Sequence, residues 1–495
     1  MAQPESNERK WILLLCLLAA IHVFVFSAAF PFFNNVDEQI HLDLALKYSQ
    51  GHVPRALETV SAETVPYAAI YGTHEYLWPS NYFPTGQFPP IWIQPIENTA
   101  PELLAREATW KKIVNHEAAQ PPLYYTLAGL WWRLGKMFGI EGGHLLYWLR
   151  FLNVFFVVTL VWLGNLAART IFPEKLFLRL GIPALLAFIP QTAFYAIQND
   201  VLSPLCFGAA FILLVKFFQP EIPSVRLGAT AGLALAATFL TKISNLPLLA
   251  VSGIFIALKI FQIARDGKLI HWVSSLAAMF YCAALPMIAW LAWTKLNFGD
   301  FTGTTAKIQF LGWTHKPFAE WWHHPIFTPH GFWIFIHDLL STFWQGEILW
   351  HRRPLALPSV DLVYVVLTLI LTGVALANLL SKPKTATAPQ REALWFGLAC
   401  FVAVIAFSGF LSIIYDFHDC FYPSREHPYF TSGRLMLGAL IPFLLAFVHG
   451  IDVALKKCGE AAKFFALVAM ILFMLASEIT VDWRIFPNAY NWFHM

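Results

Sequence analysis

Charge is what this 495-residue sequence has least of: Asp, Glu, Lys and Arg make up 13% of it, against about 25% in an ordinary soluble domain. A water-facing globular surface is thereby excluded. Net charge is only +3, too little for a basic surface that grips nucleic acid. Cysteine is sparse too, at positions 16, 206, 282, 400, 420 and 458. Four of these fall within apolar runs and only Cys420 in an outer loop, so no disulfide framework is implied. HExxH, Walker, GxSxG and CxxC motifs are all missing, which removes the common soluble catalytic classes.

What fills the sequence instead is apolar: 58% hydrophobic residues, with 45 Phe, 20 Trp and 15 Tyr suited to lipid-facing helices and interfacial belts. Runs of about twenty nearly uncharged residues recur from Trp11 onward, each able to cross a hydrocarbon core of about 30 Å. Buried helices of soluble proteins are shorter and alternate with polar faces. The runs therefore predict an all-α polytopic membrane protein of about eleven transmembrane helices. These fall at 11–30, 146–168, 177–196, 201–218, 227–243, 246–263, 273–294, 361–380, 393–414, 434–453 and 462–480. The first run follows Arg9 and Lys10 as a signal peptide would, but it exceeds a normal h-region and reads as an uncleaved span.

With the N-terminus in the cytoplasm, sixteen of the 33 Lys and Arg residues fall on short inner connections, from Arg9 and Lys10 to Lys382, Lys384, Lys456, Lys457 and Lys463. The rest are diluted over longer outer segments, in keeping with the positive-inside rule. Pro121–Phe138 is apolar enough for a further span, but counting it would turn the basic connections outward. It reads as an interfacial helix anchored by Trp131, Trp132, Arg133 and Lys136. The chain then divides into a cytoplasmic N-terminus with the first span (1–30) and a large first extracytoplasmic loop with interfacial helices (31–145). Spans two to seven (146–294), a second large outer loop (295–360), and spans eight to eleven with an outer C-terminus (361–495) follow.

Ionisable residues at span ends are the candidates for chemistry. Asp37 and Glu38 stand just past the first span at the start of an expected helix, with His41 one turn after Asp37. They either cap and charge-match that helix, or place a carboxylate at the membrane surface to take a proton from an acceptor hydroxyl. His116, Glu117 and Gln120 precede Pro121-Pro122, a good helix start; beyond that role, His116 or Gln120 is placed to face a substrate. Asn199 and Asp200 occupy a tight outer turn, where they cap the next helix or turn its N-terminus toward an anionic lipid head. Lys242 and Arg434 are the basic residues nearest outer span ends. Each either snorkels to the headgroups or neutralises a phosphate leaving group, to which a guanidinium fork is suited. The segment Ser341–Arg353, with Phe343, Trp344, Glu347 and Arg352, mixes aromatics with charge, which suits stacking on a sugar face but reads first as interfacial anchoring. His323, His324 and His330 lack the spacing of a closed metal site.

Taken in order, these stretches resemble a known family. The acidic pair after span one, the helix start Gln120-Pro121-Pro122-Leu123-Tyr124-Tyr125 and the stretch Leu149-Arg150-Phe151-Leu152-Asn153 resemble the GT-C superfamily of membrane glycosyltransferases. Pro190-Gln191 with Asn199-Asp200, Thr241-Lys242, Asn297-Phe298-Gly299-Asp300, Phe343-Trp344-Gln345-Gly346 and Ser432-Gly433-Arg434 resemble the bacterial DUF2142-type predicted membrane proteins. The likeness runs from about Pro31 to Gly450.

That resemblance implies a GT-C-like bundle and an inverting transferase working on the outer side. A polyprenyl-phosphate sugar would be the donor, and a glycan, lipid or protein the acceptor. Asp37 matches the superfamily's first-loop acid and would be the general base, with Glu38 supporting it or orienting the acceptor. Arg434 and Lys242 would meet the donor phosphate; His41, His116, Gln120, Asn199 and Asp200 would contact substrate. Lipid A aminoarabinose transferases carry Lys where this chain has Gln120. The DxD-type metal pair of oligosaccharyltransferases is not evident in the first loop, so no metal or other cofactor is expected. Two other classes fit the same scaffold. A transporter or lipid flippase would place ionisable residues near span centres, and a non-catalytic envelope-polysaccharide assembly subunit would tolerate loss of Asp37 and Glu38. With no Asn-x-Ser/Thr acceptor and no organellar signal, a bacterial inner membrane is the expected home.

Overall fold

The structure, a computed structural model, describes residues 3–73, 89–219, 222–351, 353–381, 386–420 and 422–495. Arg352, Lys382 and Lys384 lie outside the described residues. Helix α1 (Gln3–Ala29) is followed by four helices of the first loop segment: α2 (Glu38–Ser49), α3 (Thr64–Tyr71), α4 (Ile96–Trp110) and α5 (Leu123–Met137). Next come α6 (Gly142–Ile171), α7 (Leu176–Phe188), α8 (Ser203–Phe217), α9 (Val225–Thr241), α10 (Leu246–Arg265) and α11 (Leu269–Phe298). The second loop segment holds α12 (Thr304–Phe310) and α13 (Pro329–Gln345). The chain ends with α14 (Pro358–Leu380), α15 (Ala388–Ile414), α16 (Leu440–Ala454) and α17 (Gly459–Asp482). Among the described residues nine helices are long and apolar enough to cross a membrane, and α7 and α9 are shorter apolar helices. Together they account for the eleven expected spans.

The first two spans are antiparallel. Arg150, in the third turn of α6, donates to the carbonyls of Ser27, Phe30 and Pro31 at the end of α1. Near the other end of α6, Arg169 lies 3.9 Å from Glu8. The intervening segment therefore leaves and re-enters the bundle at the same end, and α5 does not reverse the chain. Length does not separate α5, at 15 residues, from α7, at 13; the antiparallel contacts of α1 and α6 do. Helix α5 packs on α2 so closely that a Cβ at Gly129 would lie 2.7 Å from the Ser49 amide nitrogen. Trp131 stacks on Trp148 with centroids 4.3 Å apart, each indole N–H donating to the other's carbonyl. Trp132, expected as an interfacial anchor, is instead fully buried, with Tyr67 packed edge-on against it, and Lys136 pairs with Glu63. The helices of the first segment cover one another, which draws that aromatic inward.

The loop segments converge at this end. Thr314–His315 pairs antiparallel with Tyr415–Asp416, and single bridges join Phe32 to Gly72 and Asn35 to Ile348. Across the bundle, α9 meets α11 backbone to backbone. A Cβ at Gly228 or Gly232 would come within 2.1 or 2.2 Å of the carbonyl oxygens of Ser275 or Met279. Small residues four apart permit that approach. The span Gly433–Ala454, which comprises a 3₁₀ turn and α16, is the most enclosed, with 94% of its apolar window buried. Its first turn places Arg434, buried, at the loop end.

Candidate active site at the loop end of the bundle

Asp37 occupies the N-cap of α2, but with φ 63° and no cap hydrogen bond from its side chain. Left-handed backbone costs a non-glycine residue about 1–2 kcal/mol, and capping does not repay it here. The carboxylate points elsewhere: Oδ2 accepts from Arg434 Nη2 at 3.0 Å, and Oδ1 lies 3.4 Å from His116 Nε2. Its side chain is 24% exposed, the most accessible acid of the group.

Arg434 is shared among three carboxylates. Nη1 donates to Gln198 Oε1 at 3.0 Å and Asp200 Oδ2 at 3.3 Å, and Nε lies 3.4 Å from Glu347 Oε2. Ser432 bridges Nε of Arg434 and the Glu347 carboxylate. Lys242 Nζ donates to both oxygens of Asp200 at 2.6 Å and is buried. Snorkelling to the headgroups is therefore not what Lys242 does, because Asp200 draws its ammonium inward. Nor do Asn199 and Asp200 cap α8 through their side chains. Asn199 Nδ2 donates to Gln120 Oε1 and the Thr241 carbonyl, both at 3.2 Å. Gln120 in turn donates to Glu117 Oε2 at 2.5 Å, and Lys307 pairs with the other Glu117 oxygen. The His116 ring stacks on Phe310 with centroids 6.0 Å apart.

Seven of the residues singled out in the sequence thus meet in one cluster: Asp37, His116, Gln120, Asn199, Asp200, Lys242 and Arg434. Two do not. Glu38 is fully buried and saturated by Arg150 Nε and Nη2, both at 2.7 Å, and by the amides of Phe33 and Ile197. All four of its lone-pair directions are taken, so it ties the first loop segment to the bundle and has none free for a further donor. His41 is buried with Nδ1 2.7 Å from the Tyr125 hydroxyl, and none of its hydrogen bonds reaches the cluster. Burial lowers its pKa to about 4 and keeps it neutral.

Glu117, Gln198, Lys307 and Glu347 also belong to the group, and no motif in the sequence marks them as its members. Glu347 was hidden in a segment read as interfacial anchoring. That reading is corrected: Phe343 and Trp344 are core residues, 0% and 1% exposed. Gly346, at φ 86° and ψ −160°, turns the chain between them and Glu347 in a region essentially only glycine enters. A Cβ there would lie 2.0 Å from Thr192 Oγ1. A glycine following a buried aromatic pair and preceding an acid was the available signal.

Burial alone would raise the Asp37 pKa, but the hydrogen bond with His116 and the charges of Arg434 and Lys307 hold it well below the usual carboxylate range. Glu117, likewise penalised by burial, is brought down to about 2 by Lys307 and His116. Glu347 goes the other way, since desolvation outweighs Arg434 and Ser432 and raises its pKa. The group therefore contains two firmly ionised acids and one acid whose charge is poorly tolerated. Asp37, His116 and Glu117 also offer three ligand atoms within 4.8 Å of one another. They could hold a metal ion, although Asp37 is already paired with Arg434 and Glu117 with Lys307. Neither acid belongs to a DxD pair, so the sequence carried no sign of this set.

Two solved structures of the Archaeoglobus fulgidus oligosaccharyltransferase are similar at 12% identity: AglB in complex with an inhibitory peptide and a dolichol-phosphate, and the apo form. Their TM-scores are 0.39 and 0.43, over 96% and 97% of this chain. They match over 55% and 56% of their own length, so this chain spans about half of theirs. No curated protein sequence matches. Residues 18–413 match the family model described as "Predicted membrane protein (DUF2142)", and the chain belongs to that family.

Proposed function

We propose that this protein is an inverting membrane glycosyltransferase in a bacterial inner membrane, its loop end extracytoplasmic. It would move a sugar from a polyprenyl-phosphate donor to a glycan, lipid or protein acceptor. The observation that carries the reading is the contact between Asp37 and Arg434. A part-exposed carboxylate, freed from helix capping, lies 3.0 Å from a guanidinium at the end of an enclosed span. Acid and cation of this kind are what attack by a hydroxyl and departure of a phosphate require.

Asp37 as it stands is a weak base, because Arg434 and His116 hold its pKa down. In this mechanism the donor phosphate takes over donors of Arg434 and loosens its hold on Asp37, so basicity rises only when the donor is bound. The acceptor hydroxyl then gives its proton to Asp37 while its oxygen attacks the anomeric carbon. The bond from that carbon to the phosphate oxygen breaks, and polyprenyl phosphate leaves with the electron pair beside Arg434. Attack opposite the leaving group inverts the anomeric centre. Orientation of both partners supplies much of the rate, and the fixed cations stabilise the developing phosphate charge.

The test is incubation of membranes containing the protein with labelled polyprenyl-phosphate sugars, wild type beside Asp37→Asn. Asn tolerates the left-handed backbone at this position, so the variant retains the fold. Transfer by the wild type and its loss in the variant is the expected result. Equal turnover by both would remove Asp37 from the mechanism.

A further inference from the structure

Gly346 separates two environments. On one side Glu347 reaches Arg434; on the other, Gln345 lines a small separate cavity together with Thr192, Glu478 and Asp482. The cavity leaves room for about one water-sized body.

Its hydrogens can be assigned from geometry. His22 Nδ1 lies 3.1 Å from the Ala187 carbonyl, which can only accept, so Nδ1 carries a hydrogen. His22 Nε2 lies 2.7 Å from Glu478 Oε2 and must share one further proton with it. Tyr195 donates to Glu478 Oε1 at 2.5 Å, with its oxygen 3.2 Å from His22 Nε2. Whether that proton sits on imidazole or carboxyl, the His22–Glu478 pair is neutral overall. Asp482, one turn further along α17, has no such partner. It is 3% exposed and has neither a hydrogen bond nor an ion pair from its carboxylate among the described residues. Gln345 Nε2 is spent on Asp361, at 2.5 Å, and its Oε1 is buried without a donor.

Asp482 and Gln345 Oε1 thus face this cavity with no donor to meet them, and a buried unpaired carboxylate costs several kcal/mol unless something positive enters. Oxygen ligands suit a hard cation, and a single uncompensated carboxylate calls for a single positive charge. We propose that Asp482, Gln345 Oε1 and Glu478 frame a site for one small monovalent cation of the Na+ class. It would tie α17 to the turn that carries Glu347. The site stands independently of sugar transfer.

Thermal unfolding of the purified full-length protein in detergent tests it, in NaCl against N-methylglucamine chloride at equal concentration. A ligand bound only by the folded state raises stability as RT ln(1 + [L]/Kd). The expected result is therefore a saturable rise of a few degrees in Tm with Na+, absent in Asp482→Asn. Identical Tm in the two salts, or an unchanged Na+ response in Asp482→Asn, overturns the proposal. If that variant does not fold, saturable binding of radioactive Na+ to the wild type, weakened in Gln345→Leu, supports the site. No saturable binding overturns it and leaves a proton on Asp482.

Discussion

Asp37 and Glu38 adjoin in sequence, differ by one methylene, and live in opposite surroundings. Glu38 is enclosed by Arg150 and two backbone amides, and Arg150 spends its remaining donors on the end of α1. Every lone pair and proton in that knot is used, and nothing in it can turn to a ligand. Asp37 is part exposed and tied to Arg434, which two other acids also claim. A closed ion pair locks the first loop to the bundle, whereas an open one with competing partners can exchange them. The left-handed residue at the start of α2 divides the two, because it throws the Asp37 side chain away from the helix that Glu38 begins.

Breaking the closed knot has the largest expected effect. Arg150→Ala leaves Glu38 buried without a counterion, and removal of one partner of a buried pair costs about 3–5 kcal/mol. It is measured as a fall in Tm or loss of detergent-stable protein. Asp37→Asn separates the two regions most sharply. Transfer falls by about 10²–10⁴-fold, the usual worth of a general base, while stability falls less than in Arg150→Ala because Arg434 keeps Asp200 and Glu347. Steady-state kinetics and a melt on one preparation check both halves.

Smaller effects come from the pH dependence of the open group. The Glu347 pKa is raised on folding. Between its ordinary value, about 4.3, and that raised value the native state holds more protons, so stability falls as pH rises. Glu347→Gln removes this slope and leaves the protein at neutral pH as stable as the wild type or more so, checked by Tm against pH. Glu117 is lowered to about 2 and behaves oppositely. Its stabilisation is complete above the ordinary carboxyl range and lost as pH falls toward about 2. The difference in stability between wild type and Glu117→Gln should shrink over that window in acid denaturation and vanish below it.

The candidate site was partly legible. Asp37, Lys242 and Arg434 announced themselves because ionisable residues at span ends are few. Glu347 did not, because its neighbours Phe343 and Trp344 look like membrane anchors until α13 is seen packed into the core. Glu38 looked like the twin of Asp37. Only Arg150, a charge set inside a span, hints that one of the two acids has a buried partner. Trp132 was placed at the interface for the same reason that Trp344 was: composition cannot tell an aromatic facing lipid from one facing protein.

By itself the sequence determined the eleven apolar helices, their order, and the parity that brings both long segments to one end of the bundle. Hydropathy is additive over some twenty consecutive residues, and such a sum can be read without knowing what lies beside it. Which charges neutralise one another was decided only when α2, α6, α8, α9 and the first turn of the Gly433–Ala454 span came together. An ion pair depends on a few ångströms between groups hundreds of residues apart, as with Arg434 and Asp37, and no local pattern records that distance.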